Sequence, residues 1–366
     1  MCELMKLSDN LPEKTPPHGG DVYHLARTLG LDLTELLDFS ANINPLGFPA
    51  GIPEAIQKTL PEIVHYPDKR CLGLKEDLAV HHQLAPEQIL VGNGSTELIY
   101  LVARALKPKK ALIAAPAFSE YEHGLKAAGV PVAFQLTTEA QNFTLARPLD
   151  FQDADLVFLA QPASPSGALM APELLEELAA GVEAAGSHLL LDEAFIDFVE
   201  EASFKTRLAR FPRVLILRSF TKFFAIPGMR LGYLLGAADF LNRLAAVQEP
   251  WSVNTLAQAM GRACLRDVEY MERSRQVVRR ERERLFVGLQ SLPGLQPFPS
   301  VVNYLLVKLH RPDFTAASLQ QALLSRRIVI RDASNFRGLD ERFFRVAVRS
   351  RQENQQLLEA LGDFLR

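Results

Sequence analysis

Cysteine is scarce in this 366-residue chain, limited to Cys2, Cys71 and Cys264. An odd, widely spaced set builds neither a disulfide framework nor a metal-ligand motif, and it suits a reducing compartment. Charge of one sign is not in excess either. Forty Lys and Arg face 43 Asp and Glu, a formal net charge of −3. That leaves no electrostatic footprint for general nucleic-acid binding, although a local anion pocket stays open. No stretch approaches the roughly 18 apolar residues of a membrane span. The first residues carry Glu3, Lys6, Asp9 and Glu13 where a signal peptide has its apolar centre, so a cytoplasmic location is expected. Glycine (21) and proline (23) are too few for a collagen-like or linker-like chain. Repeats and low-complexity tracts are missing too. What remains is a globular composition, long enough for two domains or for one large α/β unit with a smaller attachment.

Short apolar segments alternate with helical ones through the centre. Strands are expected at 89–91, 111–115, 130–134, 155–160, 187–191, 214–217 and 231–235. Helices fill 96–107, 119–128 and 171–184 between them. Strands this apolar are covered on both faces, which predicts a doubly wound sheet. Beyond about residue 253 the texture changes. Residues 254–290 read as one long charge-rich helix linking two lobes. Pro293, Pro297 and Pro299 then interrupt the chain. Strands at 302–309, 327–331 and 342–348, with helices at 315–325 and 351–363, form a smaller α/β domain. The expected division is therefore an arm and part of the small domain (1–45), a large domain (46–253), the linking helix (254–290) and the small C-terminal domain (291–366).

Three segments carry chemistry. Arg218-Ser219-Phe220-Thr221-Lys222-Phe223 runs on to Gly228-Met229-Arg230 just beyond a strand end, where open α/β sheets bind ligands. A lysine between phenylalanines has its pKa lowered by desolvation, which suits Schiff-base chemistry. Ser219, Thr221 and Arg230 supply donors for a phosphate. The same stretch also fits a surface lysine beside a turn. In Leu189-Leu190-Leu191-Asp192-Glu193-Ala194-Phe195 an apolar strand delivers Asp192 at its tip. A buried carboxylate needs a cation or donor, and a protonated pyridine nitrogen is one. Taken alone, Asp192 reads better as a helix cap or a magnesium ligand. In Val91-Gly92-Asn93-Gly94-Ser95-Thr96-Glu97 a strand passes through two glycines into a helix start rich in hydroxyls. That suits a phosphate, as it suits any capped helix. It is neither a Walker A loop nor the dinucleotide fingerprint.

The order of phosphate cup, carboxylate, lysine and arginine resembles fold-type I pyridoxal-phosphate enzymes of the aminotransferase class I/II branch. The resemblance covers essentially the whole chain. It implies a large doubly wound mixed sheet plus a small α/β domain. It also implies that Lys222 carries pyridoxal 5'-phosphate, that Asp192 pairs with the pyridine nitrogen, and that Gly94, Ser95, Thr96, Ser219 and Arg230 hold the phosphate. Phe118 in Pro116-Ala117-Phe118-Ser119-Glu120-Tyr121 matches the aromatic that stacks on the ring. Tyr66 in His65-Tyr66-Pro67-Asp68 matches the tyrosine that reaches the neighbouring subunit's phosphate, which implies a homodimer with shared sites. Arg345 matches the arginine that grips the substrate carboxylate. No metal is implied. Two positions depart from the pattern. Ser164 stands where relatives have asparagine, and Phe195 where many have tyrosine. Losing both donors to the cofactor's phenolic oxygen should raise the pKa of the lysine–cofactor linkage.

Within the family the nearest resemblance is to decarboxylases of threonine phosphate in the cobalamin pathway. Histidinol-phosphate aminotransferases are the siblings. His18-Gly19-Gly20-Asp21, Leu37 to Gly47 with Asn42, Ile330 to Leu339, and Arg349-Ser350 carry that likeness. Two arginines, Arg331 and Arg345, suit a substrate with both a carboxylate and a phosphate. His18, Asn42 and Arg349 are the further substrate candidates. His18 also fits a surface position on the arm, and Arg331 an ion pair with Asp332 or Asp340. The expected reaction is decarboxylation of L-threonine O-3-phosphate to (R)-1-amino-2-propanol phosphate. The alternatives are a histidinol-phosphate or related aminotransferase and a serine-phosphate decarboxylase. A regulatory protein on this fold is disfavoured, because Lys222 and Asp192 are both present and the arm is too short for a DNA-binding domain.

Overall fold

The computed structural model describes residues 18–147, 149–150 and 153–365; Cys2 and the charged residues at the chain start lie outside them. A seven-stranded sheet runs in the order Ile89–Gly92, Gly232–Leu235, Val214–Ser219, His188–Asp192, Leu156–Ala160, Ala111–Ala115 and Val132–Leu136. Gly232–Leu235 is antiparallel to both neighbours, and the remaining pairs are parallel. The sheet is therefore mixed. The apolar strands follow from burial on both faces. Leu189 and Leu191 enter one core, with Val157, Leu159, Val214 and Ile216. Leu190 enters the other, with Leu156, Phe158, Leu215 and Leu217. Side chains two apart share a face and neighbours oppose, so an unbroken leucine run serves two cores at once. The same alternation splits the strand tips. Asp192 and Glu193 face opposite ways, as do Arg218 and Ser219.

A second, four-stranded antiparallel sheet runs Arg331–Asp332, Phe343–Ala347, Tyr304–Leu309, Leu295–Pro297. Its Leu305 and Phe344 share a core with Phe39, Leu285 and Leu289. The arm joins this lobe, since Leu37–Asp38 pairs in parallel with Ile328–Val329. The strand expected at 327–331 is thus two short strands in two sheets, with Ile330 buried between them. The linking helix also differs from the expectation. It is two helices, Thr255–Arg266 and Val268–Gln290, because the Asp267 carboxylate accepts from the Tyr270 amide at 2.9 Å and starts a new helix. The first helix packs on Ile52–Thr59 and Leu72–His82 of the large lobe, and the second on Arg351–Phe364 of the small lobe. Among the described residues no helix is long and apolar enough to cross a membrane.

Candidate active site

The strand ends Asp192 and Ser219, the helix start at Gly94 and the arginine strands of the small lobe converge on one cavity of about 310 Å3. Lys222 sits in the one-turn helix Phe220–Phe223, where Phe220 and Phe223 are buried. Asn44 fixes that turn from the arm side. Its amide nitrogen donates to the Phe223 carbonyl at 2.7 Å and to Ser274 at 2.8 Å, and the Tyr270 hydroxyl donates to the same carbonyl at 2.9 Å. Burial, with the Arg345 and Arg230 charges, brings the Lys222 amine down to about 8. Roughly a tenth of it is therefore uncharged at pH 7, far more than for an ordinary lysine.

Asp192 is held in place by the Ala194 amide on Oδ1 (2.8 Å) and the Tyr121 hydroxyl on Oδ2 (2.5 Å). Burial raises its pKa, while Tyr121, Ala194 and Lys222 oppose that shift. Tyr121 was not among the sequence candidates. Its only signal was its place three residues after Phe118, one helical turn along Ser119–Ala127. Behind the strand tips, on the face turned away from the cavity, Arg218 is fully buried. It donates to Glu193 at 2.9 Å, to Asp197 at 3.4 Å and to Glu200. Glu193 also accepts from Ser203 at 2.6 Å and the Phe204 amide at 2.7 Å. This cross-brace was not apparent in the sequence.

Glycines keep the cup open. Gly94 has φ +82°, and a Cβ there would stand 2.6 Å from Arg230 Nη2. A Cβ on Gly232 would stand 2.6 Å from the Ser95 amide. Ser95, Thr96, Ser219, Thr221 and Arg230 line the cavity above them, with Ser219 and Thr221 hydroxyls 2.8 Å apart.

On the small-lobe wall, Arg331 and Arg345 are directly paired across two antiparallel strands. Both are buried and both line the cavity. Arg331 donates to the Asp332 carbonyl (2.6 Å) and to Asn335 Oδ1 (2.7 Å). Asp340, the other partner the sequence allowed, pairs with Arg342 instead. Arg345 lies 5.1 Å from the Tyr304 ring centre, and its Nε has no protein partner among the described residues. Asn42 is buried at the same cavity, with its Oδ1 likewise unpartnered among the described residues. His18, Phe118, Ser164 and Phe195 also line the cavity. Phe195 packs edge-on against Tyr304 at 5.0 Å.

Two sequence candidates stand elsewhere. Arg349 is one. Its guanidinium pairs with Glu353 at 2.5 Å in the first turn of Arg351–Phe364, which Ser350 caps, so the helix start has claimed it and it does not line the cavity. Tyr66 is 80% exposed and stacks on Trp251 at 4.8 Å, outside the cavity. Asn335 and Phe336 line the wall without having been singled out.

Residues 34–361 match the model for aminotransferase class I and II. The chain belongs to the aminotransferase class I and II family. A threonine-phosphate decarboxylase of Salmonella typhimurium is 41% identical to this family member over 353 residues, 95% of this chain and 96% of the relative. The crystal structure of L-threonine-O-3-phosphate decarboxylase from Porphyromonas gingivalis matches with TM-score 0.81 at 30% identity, covering 89% of this chain and 98% of that one. Histidinol-phosphate aminotransferase from Clostridium acetobutylicum matches with TM-score 0.82 at 31% identity over the same shares. The cavity of this class I and II member fits pyridoxal 5'-phosphate on its own geometry. A depressed lysine amine, a carboxylate whose pKa burial raises and a cup that any side chain on its glycines would fill all open into it.

Proposed function

We propose that this enzyme decarboxylates L-threonine O-3-phosphate to (R)-1-amino-2-propanol phosphate in cobalamin biosynthesis. One observation supports the reading beyond the family: two separate sets of cationic side chains face the cavity, each suited to an anion. The cup around Gly94 and Arg230 is one, and the in-register pair Arg331 and Arg345 is the other. A cofactor phosphate takes the first, and a substrate bearing both phosphate and carboxylate takes the second. Near-full-length likeness to a threonine-phosphate decarboxylase supports the same choice.

In this reading Lys222 would carry the cofactor and Asp192 would hold its ring nitrogen protonated. Gly94, Ser95, Thr96, Ser219 and Arg230 would hold its phosphate, Phe118 its ring face and Ser164 its phenolic oxygen. When bound, pyridoxal phosphate supplies an electron sink for the pair released at the substrate α-carbon. The rest falls to the chain. Arg345 and Arg331 orient the two substrate anions, and His18 and Asn42 add polar contacts. The bond from the α-carbon to the carboxylate breaks, and carbon dioxide leaves. Lys222, with a pKa near 8, returns a proton to that carbon.

The likeness to histidinol-phosphate aminotransferase supports a second reading, transamination of a phosphorylated amine. The deciding assay gives the cofactor-loaded protein L-threonine O-3-phosphate without a keto acid. Carbon dioxide and aminopropanol phosphate are expected. No release, together with conversion of the cofactor to its amine form by histidinol phosphate, overturns the decarboxylase. Serine phosphate belongs in the same assay, since one methyl is worth only about 1–3 kcal/mol of discrimination.

Two copies share their sites in this reading, with Tyr66 reaching the partner's cofactor phosphate. The exposed Leu60, Ile63, Val64, Tyr66 and Trp251 support that surface. Sedimentation should give a dimer, and Val64→Asp should give inactive monomers. A cytoplasmic location completes the reading, supported by the buried free thiols of Cys71 and Cys264.

A further inference from the structure

His18 belongs to the arm, yet it lines the cavity. Its Nε2 lies 2.9 Å from Glu120 Oε1, and its ring centre is 5.6 Å from that of Phe118. Glu120 is more than a passing surface partner. Its side chain is only 15% exposed. Oε1 also meets His123 Nδ1 at 3.1 Å, and Oε2 accepts from the Tyr100 hydroxyl at 2.9 Å. Burial pushes this carboxyl up, but hydrogen bonds from His123, Tyr100 and His18 outweigh it, so it stays below the usual range.

The three partners come from separate elements. Tyr100 lies on Gly94–Leu106, the helix that begins at the cup, and Glu120 lies on Ser119–Ala127, which begins after Phe118. One carboxylate therefore ties the arm to the helices that carry the cup and the ring-facing aromatic. The arm is seated closely beyond that point. A Cβ on Gly19 would stand 2.1 Å from the Ser40 carbonyl oxygen, and the Gly20 amide donates to Ser40 Oγ at 2.8 Å.

We infer that Glu120 is a positioning residue, whose carboxylate anchors His18 at the cavity so that the arm presents a fixed imidazole to the substrate. With Nε2 committed to Glu120, Nδ1 is left for the ligand. Ordering the arm in advance removes an entropic cost that a loose arm would meet on binding. The role at the substrate rests on the proposed phosphorylated amino acid; the anchoring of the arm does not.

Hydrogen exchange on the cofactor-loaded protein without substrate tests the anchor by itself. Glu120→Ala should speed exchange of the amides at 18–21 by tenfold or more, and Tyr100→Phe by less than twofold. Unchanged exchange in Glu120→Ala overturns the anchor whatever the substrate. A double-mutant cycle tests the route. Glu120→Ala should raise KM for threonine phosphate about tenfold with kcat within twofold. In a His18→Ala background it should change KM by less than twofold. Equal effects in both backgrounds overturn action through His18. Glu120→Gln keeps an acceptor oxygen and should recover KM to within threefold, which separates anchoring from misfolding. If the native protein ignores threonine phosphate while Glu120→Ala still frees the arm, the anchor stands and the substrate reading fails.

Discussion

Arg331 and Arg345 are in-register partners on adjacent antiparallel strands, and both are buried in the cavity wall. Like charges set directly opposite one another destabilise a sheet. Burial, with the Arg345 charge adding to it, takes Arg331 down to about 10, and burial lowers Arg345 as well. Phe336 faces both guanidinium groups, at 5.6 and 5.9 Å. Hydrogen bonds to Asn335 and the Asp332 carbonyl meet part of the demand of Arg331. Two buried guanidinium groups side by side in a cavity wall are suited to receiving an anion.

Arg345→Gln should therefore raise KM for threonine phosphate steeply. Removing one partner of a buried charge pair costs about 2–5 kcal/mol, or roughly 30-fold to a few thousandfold. Arg345→Lys should not restore it, because a point charge lacks the planar fork. Steady-state kinetics check both variants, and an unchanged KM removes Arg345 from the substrate site.

Lys222 makes the stability of the cofactor-free protein depend on pH. Its folded pKa is about 8, below the ordinary lysine value of 10.5. The unfolded chain thus binds more protons between those values, and stability contributed by this group rises with pH across that window. Below about 8 the buried charge costs its full amount, on the order of 3 kcal/mol. Cofactor-free Lys222→Met should exceed the native chain in stability at pH 7 and lose that advantage by about pH 10.5. Denaturant titration at several pH values checks this. A gap independent of pH contradicts it.

The sheet was legible because its strands are apolar on both faces, and the Leu189–Leu191 run stands out from any surface segment. Lys222, Asp192 and Ser95 were legible because each follows directly from a strand end. The arginine wall was only half legible. Sequence separates Arg331 and Arg345 by fourteen positions, and only the pairing of Arg331–Asp332 with Phe343–Ala347 makes them neighbours. The place of Arg349 was hidden for the same reason, since its partner Glu353 is set by a helix start rather than by the cavity. Nothing local in the sequence marks Glu193 and Arg218 as buried together. Asp267 interrupts a charge-rich stretch whose composition is helical on both sides, so the break was hidden.

Gly94→Ala tests the cup. The position needs φ +82°, and a methyl there would press on Arg230 at 2.6 Å. A non-glycine residue in that conformation costs about 1–3 kcal/mol. Displacement of Arg230 should add a loss of cofactor affinity of about tenfold or more, since a charge-assisted bond to phosphate is among the stronger ones. Equilibrium dialysis against pyridoxal phosphate measures it, with thermal unfolding as the control for strain. Native affinity in a strained variant would separate Arg230 from the phosphate.

Arg218 tests the brace behind the strand tips. Burial alone would push its guanidinium down, but Asp197, Glu200 and Glu193 hold it charged. Arg218→Met would leave Glu193 fully buried without its cation, and breaking a buried pair this way costs about 3–5 kcal/mol. Glu193 already has its pKa raised by burial, and losing Arg218 should raise it further. The penalty is then present above the folded pKa of Glu193 and shrinks as pH falls through it, because the protonated acid needs no counter-ion. Adding Glu193→Gln should recover part of the loss at pH 7 and flatten the pH dependence. Because Glu193 follows Asp192, cofactor affinity should weaken along with stability in the single variant. Denaturant unfolding at pH 5 and pH 7 separates the outcomes, and a loss below about 1 kcal/mol at both would mean that the strand tips hold without the brace.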